Sequence, residues 1–306
     1  MQRYILRRLL WAVVTLFGVS LVAFTILYLL PADVAAMMAG PRATKEVRAA
    51  ITHDLGLDQP LYVQYGRFAG RLLHGDLGTS WMYRQEVSQV ILQHLPYTAL
   101  LALAGALGEL LIGLPVGLVS ALRRYSWLDR VLMLGSLISI SAPPFWMGLL
   151  LLYLVALELP IFPVGGYGTP AHLILPALTV ALSGAAWYAR VFRSSVLDQL
   201  QADYVRTARS KGLRDWLVTL RHIVPNCLIP VLTMFGLDLG NFLGGVVMVE
   251  TVFGWPGIGM QAWKAIRDVD MPVVMGTVLF AALGMTLMNL VVDVCYAFVD
   301  PRIHYG

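Results

Sequence analysis

Leu9-Leu-Trp-Ala-Val-Val-Thr-Leu-Phe-Gly-Val-Ser-Leu-Val-Ala-Phe-Thr-Ile-Leu-Tyr-Leu-Leu30 carries no charged side chain and follows the basic lead Met1-Gln-Arg-Tyr-Ile-Leu-Arg-Arg8. A secretory signal core is about 7–15 apolar residues long, whereas a bilayer-spanning helix needs about 20. The run therefore reads as a retained membrane anchor. Further along the chain, similar runs occupy 97–122 (with Glu109), 131–157, 173–189, 227–249 (with Asp238) and 273–299 (with Asp293). A spanning segment must satisfy its backbone polar groups internally, so each reads as a helix. The expected fold is an all-α membrane protein of six transmembrane helices, beginning with 9–30, in a single domain over 1–306. Pro143-Pro144, Pro176 and Pro230 are expected to bend or break their helices.

Composition supports lipid as the solvent. The chain is 58% hydrophobic and 13% charged, with a mean hydropathy of +0.72, against about 25% charged residues in soluble domains. Its net charge of +4 is dispersed between apolar blocks and forms no dense basic stripe, which argues against a nucleic-acid partner. Cys227 and Cys295 have no metal-like or disulfide-framework spacing and read as small apolar residues.

Charge also orients the bundle. With the N-terminus in the cytoplasm, Arg3, Arg7, Arg8, Arg123, Arg124, Arg130, Arg190, Arg193 and the basic residues of 203–226 lie inside, while the short outer loops keep only Lys264 and Arg267. Both termini are then cytoplasmic. Segment 31–95 is an outer segment between the first and second spans, and its turn residues read as short helices and turns rather than a separate enzyme domain.

The inner connection between the fourth and fifth spans, Asp203-Tyr-Val-Arg-Thr-Ala-Arg-Ser-Lys-Gly212 continuing to Pro225-Asn226, is longer than two helices require. It reads as helix, glycine turn, helix: a compact basic surface for a large partner, or else a solvated loop. Glu109, Asp238 and Asp293 lie in apolar spans, where a central charge costs at least about 2.5 kcal/mol, so each should face protein or water. They are candidates for the translocation path, or for pairing between helices. Gly236, Gly240 and Gly244 recur on one face and suit close helix packing. Phe253-Gly-Trp-Pro-Gly257 suits a rigid interfacial turn or an external lip carried by Trp255, Pro256 and Gly257. His53, His74, His94 and His172 match no metal-ligand spacing, so no metal site is expected. No catalytic constellation is found. Lys45, Lys211 and Lys264 do not follow glycine, so the phosphate-cradling Gly-Lys-Ser/Thr is absent and energy must come from elsewhere.

Tyr204-Val-Arg-Thr-Ala-Arg-Ser-Lys-Gly212 followed by Pro225 resembles the signature of permease subunits of the ATP-binding-cassette importer family for dipeptides, oligopeptides, glutathione and nickel. Arg206 stands where the general motif has Glu, and His222 and Val224 replace Ile and Leu. Leu55-Gly-Leu-Asp-Gln-Pro-Leu61, Gly75-Asp-Leu-Gly-Thr-Ser80, Glu250-Thr-Val-Phe-Gly-Trp-Pro-Gly-Ile-Gly259 and Asn289-Leu-Val-Val-Asp293 through Asp300-Pro-Arg302 resemble the same branch. Pro31-Ala-Asp-Val34 departs from its usual Pro-Gly-Asp-Pro.

The resemblance implies a bacterial or archaeal inner-membrane subunit that is not an enzyme. It implies that 203–226 forms a cytoplasmic coupling helix through Tyr204, Arg206, Thr207, Ala208, Gly212 and Pro225. The implied partners are a homologous second permease, two ATPase subunits that hold ATP and Mg, and an external solute-binding protein; this chain binds no cofactor of its own. An ion-coupled secondary transporter using the membrane carboxylates is the competing class, although the repeated inverted halves common there are absent.

Overall fold

A computed structural model describes residues 2–29, 34–39 and 43–299. Pro31-Ala-Asp33 and Asp300-Pro-Arg302, and the side chains of Arg3 and Cys295, lie outside the described residues. The described residues form helices and turns, with one isolated bridge between Thr79 and Glu86.

Helix α1 (Gln2–Leu29) is followed in the outer segment by α2 (Val34–Ala39), α3 (Lys45–Asp54) and α4 (Leu61–Leu73). Thr44 caps α3 by accepting from the Val47 amide at 3.4 Å. Helix α5 (Val87–Leu122) starts well before the apolar run at Tyr97 and continues through Pro96 and Pro115. Helices α6 (Trp127–Ser141) and α7 (Pro144–Leu151), the latter extended by a π-helical turn over Leu152–Glu158, meet at 106°. Proline at 143 and 144 removes amide donors and forces Ala142 into extended backbone, so the expected third span is a broken element. Helix α8 (Ala171–Leu200), by contrast, is unbroken at Pro176, and α11 (Val224–Leu243) at Pro230. Between them lie α9 (Asp203–Ser210) and α10 (Asp215–Val218), which runs through a π-helical turn, Thr219–Ile223, into α11. Helices α12 (Val247–Phe253), α13 (Ile258–Arg267) and α14 (Met271–Val299) complete the chain. Among the described residues there are 5 helices long and apolar enough to cross a membrane, or 6 if the bent pair is one span.

The apolar run 227–249 does not stay one helix. Gly245 adopts φ +95°, and a Cβ there would stand 2.6 Å from the Gly259 amide. The chain can turn at this point only because glycine occupies it, so α11 ends at Leu243 and residues 247–253 form a separate packed helix.

Helices α5 and α8 form the central seam, and small residues set its closeness. A Cβ on Gly113 or Gly117 would come 2.6 Å from the carbonyl oxygens of Ala185 and Ala189, respectively. Gly240 and Gly244 likewise face α14, with Met288 and Ala281 at 2.9 and 2.8 Å from an added Cβ. The glycine stripe of α11 is thus a packing face.

Candidate functional site

Segment 203–226 is organised from the inside. Val205, Ala208, Val218 and Ile223 are buried in one cluster with Tyr188, Phe192 and Val196 of α8 and Cys227 of α11. The helical period that puts Val205 and Ala208 on this face turns Tyr204, Arg206 and Thr207 outward. Tyr204 fixes the hairpin to its flanks: its hydroxyl donates to Gln199 Oε1 at 2.6 Å and accepts from Asn226 Nδ2 at 3.3 Å. Gly212 adopts φ +78° with open space around it, which reverses the chain between α9 and α10. Arg206 with Asp203 (3.8 Å) and Arg209 with Asp215 (2.9 Å) are exposed pairs, while Trp216 and Leu220 add exposed apolar surface. Pro225 is exposed where the π-helical turn passes into α11. Ala208 is therefore part of this chain's own core, behind the outward residues.

The three membrane carboxylates are placed differently. Asp238 is half-buried and accepts a 2.6 Å hydrogen bond from the Tyr188 hydroxyl, which joins α11 to α8. Glu109 is buried at the α5–α8 seam, directly against Gly184, where any Cβ would overlap its carboxyl group. Among the described residues its Oε2 has no hydrogen-bond partner. Asp293 forms a 3.0 Å ion pair with Arg8. It joins α14 to α1, the helix-pairing role.

The outer turn corrects the expectation of an aromatic lip. Trp255 is 1% exposed; its Nε1 donates to the Tyr97 carbonyl at 2.9 Å and its ring packs edge-on against Tyr167. Gly257 is buried because its missing side chain leaves room for the Glu250 carboxylate, and Pro256 is only partly exposed. The indole is large and apolar with one donor, and both requirements are met inside the protein.

Sequence reasoning passed over the residues that hold these parts together. Glu250, fully buried, accepts from the Thr98 hydroxyl (2.9 Å) and the Met260 amide (2.9 Å) at the start of α13. Asp270 accepts from the Ser80 hydroxyl (2.5 Å) and the amides of Trp81 (3.1 Å) and Met82 (3.3 Å), tying the outer segment to the start of α14. Asp129 receives Arg193 through Nε and Nη2 at 3.0 and 2.9 Å and also bonds to Ser120, locking α5, α6 and α8 at one end. Nothing in local spacing marks these partners, which are separated by up to 190 residues. The repeated small residues around Glu250, at Gly257 and Gly259, were the one available signal.

The described residues form a bundle of long apolar helices with an exposed helical hairpin between α8 and α11. The chain belongs to the family described as binding-protein-dependent transport system inner membrane component: that model matches residues 113–305, and its N-terminal companion matches residues 1–102. It is thus a non-catalytic, multi-pass permease subunit of an ATP-binding-cassette importer of the inner membrane, a class that works with an ATPase and a binding protein. It is 40% identical to the probable D,D-dipeptide transport system permease protein DdpB of Escherichia coli K12, over 99% of this chain and 98% of that protein. It is 41% identical to the glutathione transport system permease protein GsiC of Salmonella paratyphi A, over all of both chains. In fold it is similar to a chain of the MetNI methionine ABC transporter, with a TM-score of 0.55 and 15% identity over 70% of this chain and 97% of that one. A second similar structure is that of an amino acid ABC transporter, with a TM-score of 0.50 and 20% identity over 71% and 95% of the two chains. None of these likenesses supports the ion-coupled secondary transporter.

Proposed function

We propose that this permease forms one half of a translocation path for a dipeptide, longer peptide, glutathione or nickel chelate, completed by a homologous second permease. Two ATPase subunits carrying ATP and Mg drive it, and an external solute-binding protein delivers the cargo. Both termini face the cytoplasm. The observation that carries this reading is the 203–226 hairpin: an apolar inner face cemented to α8 and α11, and an outer face of Tyr204, Arg206 and Thr207 beside the Gly212 turn. Such a rigidly backed, exposed projection is suited to receive force from an ATPase. The relatives named for D,D-dipeptide and glutathione transport support a peptide-like cargo.

Within the bundle, Asp238 is the best-placed carboxylate for a cationic group of the cargo, because it is half-buried and held by Tyr188 rather than by a cation. Glu109 stands behind it at the seam, and Asp293 is occupied by Arg8. The test is uptake into proteoliposomes holding the whole assembly and loaded binding protein. Uptake should require ATP and survive an ionophore, and mass spectrometry of the retained ligand identifies the cargo. Uptake abolished by the ionophore would overturn the ATP-driven reading. Uptake kinetics unchanged by Asp238→Asn for cationic and neutral cargo alike would remove Asp238 from the path.

A further inference from the structure

Helix α4 belongs to the outer segment, yet it packs deep against the spans. Tyr65 shares a 2.9 Å hydrogen bond with Ser20 of α1 and sits edge-on to Phe17 and Phe24, with centroids at 6.4 and 5.2 Å. The apolar window of α1 ends at Leu27, so at about 1.5 Å per residue Ser20 is roughly 10 Å inside it. The second neighbour gives the same level independently. Phe68 clusters with Met275 and Leu279, one and two turns into α14. A helix at that depth lies beside the boundary between acyl chains and headgroups.

Its sequence suits that place. Tyr62, Tyr65, Ala69, Leu72 and Leu73 share one face at helical spacing, and Gln64, Arg67 and Arg71 share the opposite one. Tyr62 and Leu73 are 77% and 87% exposed, so this chain does not cover them. Arg67 and Arg71 line a cleft with Asp54, Gln64, His74 and Asp76. Among the described residues neither arginine enters an ion pair within the chain. Asp76 is already engaged with the Gly78 amide at 2.7 Å.

We propose that α4 is an interfacial helix of the outer leaflet, with Tyr62 and Leu73 immersed among lipid acyl chains and Arg67 and Arg71 at lipid phosphates. The apolar face supplies immersion and the guanidinium groups fix the depth, because long basic side chains extend from apolar surface to the headgroup layer. The proposal rests on the outward placement of residues 31–95 given above, which is tested separately by labelling Asp58→Cys in intact spheroplasts with a membrane-impermeant thiol reagent.

The experiment uses the assembled transporter in nanodiscs containing phosphatidylglycerol, with Cys227→Ala and Cys295→Ser as background. Spin labels are introduced by Tyr62→Cys, Leu73→Cys and, in the exposed loop before α4, Asp58→Cys. Collision with oxygen, which concentrates in lipid, is compared with collision with a water-soluble nickel chelate. The expected result is an oxygen-to-nickel ratio severalfold higher at 62 and 73 than at 58. Arg67→Glu with Arg71→Glu should lower the ratio at 62 severalfold. Nickel accessibility at 62 and 73 equal to that at 58 overturns the proposal in favour of a water-exposed cap. Low accessibility to both reagents at 62 and 73 overturns it in favour of protein cover, by the second permease or the binding protein.

Discussion

Replacing Glu250 by alanine tests how the outer side of the bundle is held. The change removes the acceptor for the Thr98 hydroxyl and the Met260 amide inside a region with no exposed surface at this residue. Leaving a buried donor unpaired costs about 1–3 kcal/mol, so the two together come to roughly 2–6 kcal/mol. Glu250→Gln keeps one acceptor oxygen and should cost about half as much. Gly257→Ala leaves the carboxylate in place but drives a methyl group into it, so it should resemble the alanine variant of Glu250 despite changing no polar group. Thermal unfolding in detergent can be followed by alkylation of Cys227, which is buried in the folded chain, in a Cys295→Ser background. The expected order of midpoints is parent, then Glu250→Gln, then Glu250→Ala and Gly257→Ala together. A Gly257→Ala midpoint equal to the parent's would refute the claim that this glycine exists to admit the carboxylate.

Thr207→Trp should leave the melting midpoint unchanged and abolish stimulation of ATP hydrolysis by loaded binding protein, because position 207 faces outward; Ala208→Trp should lower both, since Ala208 sits in the core with Val205. Arg193→Ala strands Asp129 beside Ser120 and should cost about 3–5 kcal/mol, read as a lower midpoint, whereas the double variant Arg193→Met with Asp129→Leu should recover most of it. Gly117→Val should block assembly of a folded permease while leaving membrane insertion intact, because insertion depends on hydropathy and the α5–α8 seam on backbone approach.

The membrane class, the apolar runs and the helix–turn–helix form of 203–226 were legible because each rests on local signals: length, hydropathy and a glycine at a reversal. The break at Pro143-Pro144 was legible for the same reason. Pro176 and Pro230 were not, since neighbouring helices shield and support the chain where a lone proline would break it. The end of α11 at Leu243 depends on Gly245 meeting Gly259, and the burial of Trp255 depends on Tyr97 and Tyr167; neither contact has a local trace. For Asp293 the pairing alternative could be named but its partner could not, because Arg8 stands at the other end of the chain.

The seam between α5 and α8 has a mechanical consequence. Knobs of backbone carbonyl sit in glycine notches along it, so sliding one helix past the other would drive atoms into overlap at every notch. The Arg193–Asp129 clamp fixes α8 near one end, and the apolar cluster around Val196 and Val205 fastens the 203–226 hairpin just beyond it. Over its 30 residues α8 is about 45 Å long. Were force delivered to the hairpin as proposed, the closely packed α5–α8 pair would carry it to the far end as a tilt of one rigid unit.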